Sequence, residues 1–227
     1  MTARNIIVTG TFGILGAAVA KAFATRGDRV AKIDYAPAPA APLDQGIDIG
    51  GIDLTDPAAA AAAVEQAATV MGSIDVLVNV AGGFAWQTVV DGSSESWQRM
   101  FAMNAMTCLN AIKAALPYLE KSAAGRIVNI GAGGAVTAAA GMGSYAASKG
   151  AVHRLTESLA AELADGTVTV NAVLPSIIDT PTNRADMPDA DFSQWVRPDA
   201  IADVILFLAS PAARGISGAL IPVSRGG

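Results

Sequence analysis

Residues 5–24 read NIIVTGTFGILGAAVAKAFA. Asn5–Thr9 is a short β-branched run with continuous apolar character, the pattern of a strand buried on both faces. Gly10, Gly13 and Gly16 follow, and a helical pattern begins at Ile14. A glycine-rich turn between strand and helix lets the backbone approach a pyrophosphate. The helix N-terminus there offers free N–H groups and a positive dipole end. The glycines alone also fit a tight turn without a ligand; the strand-before, helix-after context favours the binding turn.

Outward from this unit the same alternation continues. Strands are expected at Arg29–Asp34, Ile74–Asn79, Arg126–Ile130, Val168–Val173 and Ala219–Val223, with a shorter one near Ile47–Ile52. Helices are expected over Ile14–Arg26, Pro57–Met71, Glu95–Lys121, Ser144–Ala164 and Pro198–Ser210. Apolar strands each followed by a helix predict an α/β fold. Its core is a doubly wound parallel sheet of about seven strands with helices on both faces. The linker-like PAPAAP at 37–42 is too short to separate domains, so residues 1–227 read as one domain. Two irregular stretches, after Asn79 and from Pro175 to Pro198, leave strands at the carboxyl edge, where open α/β sheets bind ligands.

Composition narrows the function classes. Of 227 residues, 52% are apolar and 15% charged, which indicates a compact globular chain. A net charge of −5 supplies no basic stripe for nucleic acid. One cysteine, Cys108, excludes an intramolecular disulfide and fits the cytoplasm. Mean hydropathy is +0.42, yet the uncharged run 127–148 is broken by five glycines, so no membrane span is expected. The lone His153 lacks the companions of a metal site and is assigned to packing or a subunit contact.

The second strand ends at Asp34, eighteen residues after Gly16. An acid there can bind both ribose hydroxyls of NAD and would repel the 2′-phosphate of NADP. NAD(H) is therefore favoured over NADP(H), the alternative being an ordinary strand-end turn residue.

Together these segments resemble the short-chain dehydrogenase/reductase family along nearly the whole chain. The carriers are TGTFGILG at 9–16, DLTD at 53–56, NVAG at 79–82, Asn104, SYAASK at 144–149 and NAVLPSIIDT at 171–180. The resemblance implies a Rossmann fold and a cofactor site. That site comprises Gly10, Phe12, Gly13, Ile14, Leu15, Gly16, Asp34, Asp53, Leu54, Ala81, Gly82, Lys149, Pro175, Ile178 and Thr180. It also implies a homodimer or homotetramer, without choosing between them. Within the family, the GxxGxxG turn, GMGSYAASKGAVHRL and LPSIIDTPTNRADMPDADFSQW are most similar to the dihydropteridine reductases, which use NADH. Asn104 departs from that group.

Tyr145 and Lys149 are spaced i, i+4, so they share one helix face. A tyrosine of ordinary pKa near 10 is a poor acid or base at neutral pH, and a neighbouring ammonium favours its phenolate. Tyr145 is the expected proton donor in reduction, with Lys149 its electrostatic partner. The resemblance adds that Lys149 holds the nicotinamide ribose and that Asn104 supports a water relay. The family's serine, thirteen positions before the tyrosine, is replaced by Ala132. One donor to a developing oxyanion is worth about 10²–10³ in rate. A ketone reductase lacking it should be slow, whereas a conjugated dihydropterin can spread the charge and manage with one acid. Thr137 and Ser144 lie nearby but not at the serine's offset. Phe84, Trp86, Met142, Met187 and Trp195 are candidates to line an apolar pocket beside Ala132, with core packing the alternative for the methionines. Residues 180–196 read as a substrate lid, or as a solvated loop. The expected activity is NAD(P)H-dependent reduction of a small conjugated or carbonyl substrate. The alternatives are a short-chain alcohol dehydrogenase or ketone reductase, and a non-catalytic nucleotide-binding or redox-sensing protein.

Overall fold

A computed structural model describes residues 3–38 and 46–225, so most of PAPAAP and the final two glycines lie outside the described residues. Seven parallel strands form one sheet: β1 (Asn5–Thr9), β2 (Arg29–Ile33), β3 (Gly46–Ile49), β4 (Val76–Asn79), β5 (Arg126–Ile130), β6 (Thr169–Pro175) and β7 (Leu220–Val223). Their order is β3-β2-β1-β4-β5-β6-β7. The chain reverses its winding between β1 and β4, and that switch point opens a crevice at the strands' carboxyl ends.

Alternation along each strand feeds two cores. Ile7, Leu77 and Ile127 face one layer, formed by α2 (Pro57–Met71), α4 (Thr107–Leu119) and α5 (Gly143–Glu162). Ile6, Val8, Val78 and Val128 face the other, formed by α1 (Ile14–Thr25) and α7 (Pro198–Leu208). The alanine run in α2 packs Ala60, Ala63 and Ala67 closely against the sheet. Asp56 caps that helix by accepting from the Ala58 amide, Pro57 opens it, and Gly72 closes it in the left-handed region at φ +87°. Every strand expected from the sequence is present; Asn5–Thr9 and Arg126–Ile130 match at both ends, and the other ends differ by at most three residues.

Two departures fall at the site edge. The expected helix Glu95–Lys121 is instead α3 (Ser94–Phe101), a π-turn at Ala102–Met106, and α4. Apolar periodicity does not register one extra residue per turn. π-turns of this kind occur frequently at functional sites, and this one carries Asn104. The stretch expected as a lid contains α6 (Pro181–Asp186), capped by the Thr180 hydroxyl, which accepts from the Asn183 amide. Thr-Pro at its start is a readable helix signal. The pairing of Ile178 with Val196 pins both ends of the segment together. Among the described residues, no helix is long and apolar enough to cross a membrane.

Candidate active site

At the switch point, β1 delivers the glycine turn. Gly10 adopts φ +67°, and an added Cβ there would lie 2.8 Å from the Ala81 backbone. A Cβ on Gly16 would collide with the Gly10 carbonyl oxygen. Both positions therefore require glycine. Thr9 joins the turn to β4, its hydroxyl accepting the Val80 and Ala81 amides at 3.1 Å each.

The first turn of α1 receives no side-chain cap, so its amides remain free for an anion. Gly13 and Ile14 are exposed there, Phe12 is half-buried and Leu15 is core. Thr11 presents a buried hydroxyl with no protein partner among the described residues. Asp34, just past β2, accepts the Phe12 amide at 2.7 Å and the Ala36 amide at 2.9 Å. Exposed Asp53 accepts from the Thr55 amide and hydroxyl, which hold its carboxyl below the usual range. Buried Leu54 lies beside it, and Asn110 on α4 donates to the Leu54 and Thr55 carbonyls. Free helix amides, a glycine cradle and a carboxylate at the end of the second strand fit a dinucleotide.

The reacting end is built from β5 and α5. Lys149 is buried and donates from Nζ to the Ile130 carbonyl at 2.8 Å. Burial pulls its ammonium down to about 8. Burial also pushes the Tyr145 phenol up to about 12. Tyr145 is consequently protonated throughout the neutral range, as a proton donor must be.

The Asn104 side chain makes three hydrogen bonds. Its Oδ1 accepts the Gly83 amide at 3.0 Å, and its Nδ2 donates to the Gly83 carbonyl and to the Ser148 hydroxyl. Ser148 in turn donates to the Tyr145 carbonyl. The Asn104 side chain thus ties the loop after β4 to the tyrosine helix. A Cβ on Gly82 would sit 2.5 Å from Asn104 Oδ1 and 3.3 Å from Lys149 Nζ. Ser148 has no signal in the sequence beyond its place inside SYAASK.

Phe84, Trp86 and Met142 gather at the start of α5 and the turn before it. Phe84 meets Tyr145 edge to face, with centroids 4.9 Å apart. Trp86 lies against Gly141 and donates from Nε1 to the Ala140 carbonyl. Met142 packs over Gly134. Ala132 is buried two residues past β5. Trp195, by contrast, is 5% exposed and packs at a tilt against Phe192, so it offers almost no surface to a ligand. Pro175 is buried at the end of β6, while Ile178 and Thr180 lie half-exposed beyond it. Thr137 is exposed and Ser144 buried in the first turn of α5. Among the described residues no group of His, Cys, Asp and Glu could hold a metal ion.

A doubly wound sheet, a dinucleotide cradle and a tyrosine–lysine pair on one helix define a nicotinamide-dependent oxidoreductase. Comparison with known proteins gives the family. The short chain dehydrogenase profile matches residues 4–191, and the chain belongs to that family. It is 33% identical over 241 residues to 2,5-dichloro-2,5-cyclohexadiene-1,4-diol dehydrogenase of Sphingobium indicum, covering 100% of this chain and 96% of that one. It is 34% identical over 240 residues to galactitol 2-dehydrogenase (L-tagatose-forming) of Cereibacter sphaeroides, covering 96% and 92%. The structure of Thermoplasma acidophilum aldohexose dehydrogenase superposes with a TM-score of 0.88 at 30% identity, covering 97% and 92%. The chain is an NAD(P)-dependent oxidoreductase.

Proposed function

We propose that the chain is an NADH-dependent reductase of flat conjugated substrates, of the kind the dihydropteridine reductases act on. One observation carries this reading. Where the family places a hydroxyl, Ala132 has a methyl, and its backbone N–H is already spent on His153 at 3.3 Å. Tyr145 is then the one acid at the reacting end. The edge-to-face pair of Phe84 and Tyr145 and the exposed Trp86 add an aromatic wall suited to a flat ring.

A bound reduced nicotinamide would supply the hydride. Tyr145 holds the proton at its phenol oxygen and gives it to the reduced substrate. Lys149 holds positive charge beside the ribose position and supports the phenolate left behind. Asn104 and Ser148 hold the tyrosine helix against the loop that carries Phe84. Asp34 receives the adenosine ribose, which supports NADH over NADPH. The faces of α4 and α5 turned from the sheet are inferred to pair in a homodimer or homotetramer.

The names of the relatives support a second reading, an alcohol or diol dehydrogenase, since all three act at carbon-bound hydroxyls or sugars. The test is NADH oxidation with quinonoid dihydropterin beside a Tyr145→Phe control. Fast turnover, lost in the control, supports the pterin reading. No turnover with NADH binding intact overturns it and leaves the alcohol reading.

A further inference from the structure

The single histidine is buried one helical turn beyond Lys149, at 3% exposure, and none of the chemistry above uses it. The Ala132 amide donates to its Nε2 at 3.3 Å. Lys149, from the same face of α5, donates to the Ile130 carbonyl at 2.8 Å. Helix α5 therefore grips the end of β5 twice, once through a carbonyl and once through an amide two residues on. Gly131 lies between the two grips and is itself bonded into the sheet, its amide donating to the Val173 carbonyl. A Cβ on Gly131 would come within 2.5 Å of His153 Nε2, so the ring rests directly on the strand backbone.

We propose that His153 is a positioning residue: as the neutral Nδ1–H tautomer it clamps residues 131–132 and so sets the tyrosine–lysine helix against the end of β5, and acid opens the clamp. The clamp aims the Ala132 amide into the protein. It therefore withholds from the substrate the backbone donor of the residue that lacks the hydroxyl.

The chemistry allows one protonation state. An amide N–H pointing at Nε2 needs a lone pair there, which only the neutral Nδ1–H form provides. Protonation would turn Nε2 into a donor facing a donor. Around the ring, Arg154 and Lys149 oppose a positive charge and Glu157 favours one, all three on α5. Just past β5, uncharged Gly131 and Ala132 lie against it, and the apolar Leu174 of β6 lies beside Gly131. On α4 the Cys108 thiol, which interacts with Lys149, is held neutral by burial. Desolvation is the largest effect on the imidazole, and with the two cations it pulls the value below the ordinary 6.5. The ring is thus neutral at physiological pH and charges only as pH falls through that lowered value.

Because the chain has one histidine, nitrogen NMR of histidine-labelled protein reads this ring without assignment. The expected spectrum shows the Nδ1–H tautomer and a titration midpoint below 6.5. NADH affinity, followed by fluorescence, should decline in acid with the same midpoint. His153→Gln places a carbonyl oxygen near the Nε2 position and does not titrate. It should hold neutral-pH NADH affinity within about threefold and lose the acid decline. His153→Leu leaves the Ala132 amide buried and unpaired, and should weaken NADH binding about tenfold at every pH. An Nε2–H tautomer, or an acid decline unchanged in His153→Gln, would overturn the proposal. None of these readouts uses a substrate, so they stand or fall independently of the pterin reading.

Discussion

The Asp34 carboxylate accepts the Phe12 amide at 2.7 Å, joining the end of β2 to the glycine turn that follows β1. The acid expected to choose the cofactor also holds the cradle in shape. Asp34→Ala should therefore do two things. It should weaken NADH binding about tenfold, through the lost turn bond and the lost ribose acceptor. It should also narrow the gap between NADH and NADPH, since the charge opposing the 2′-phosphate is gone. Titrating both cofactors into both proteins checks this; an unchanged ratio would remove Asp34 from cofactor choice.

Tyr145→Phe deletes the proton donor and keeps the ring that Phe84 meets edge to face. Turnover should fall by about 10²–10⁴, with NADH affinity unchanged. Steady-state kinetics and a binding titration separate the two effects.

Lys149 at about 8 and Tyr145 at about 12 fix the order of alkaline events. A lysine keeps its charge below its pKa and loses it as pH rises through that value. The first alkaline loss of NADH affinity should therefore centre near 8 and belong to Lys149. Tyr145→Phe should keep that midpoint, which a pH series of NADH binding in the variant would show.

Ala132→Ser restores a hydroxyl to the end of β5. Reduction of simple ketones should rise by about 10–10², within the worth of one oxyanion donor, while a conjugated substrate gains little. Equal gains on both substrates would count against the single-acid reading.

Asn129 is the hub of a buried polar network. It accepts from Asn79 at 2.9 Å and from the Cys108 thiol at 3.4 Å, and donates to Thr156 at 2.9 Å. Asn129→Ala should cost about 2–3 kcal/mol by leaving Asn79 and Thr156 short of partners in the core. Burial pushes the Cys108 thiol up to about 12, so native protein should resist thiol reagents. Faster Cys108 labelling in the variant would report the local loosening alongside a denaturant titration.

The asparagine at 129 shows where sequence reading stops. Strand β5 was legible as an apolar run, but nothing in RIVNI says that its asparagine meets Asn79, Cys108 and Thr156 from three other elements. Asn104 was legible as a site residue, yet its π-turn and its bonds to Gly83 and Ser148 were not. Trp195 was legible as an aromatic beside the site, and the tertiary structure buried it against Phe192.

What the sequence determined by itself is local and periodic. Apolar runs alternating with helical patterns specify a parallel sheet between helix layers. Gly10 and Gly16 specify a turn that only glycine can make, and Tyr145 with Lys149 specifies one face of one helix. Tertiary structure decided everything that depends on groups far apart in the chain: that Asp34 caps the Phe12 amide, that His153 holds the Ala132 amide, and that burial raises the Tyr145 phenol. The reason is physical. Periodicity records which face of an element is buried, whereas hydrogen-bond partners and desolvation are fixed only when elements from distant segments close around the same point.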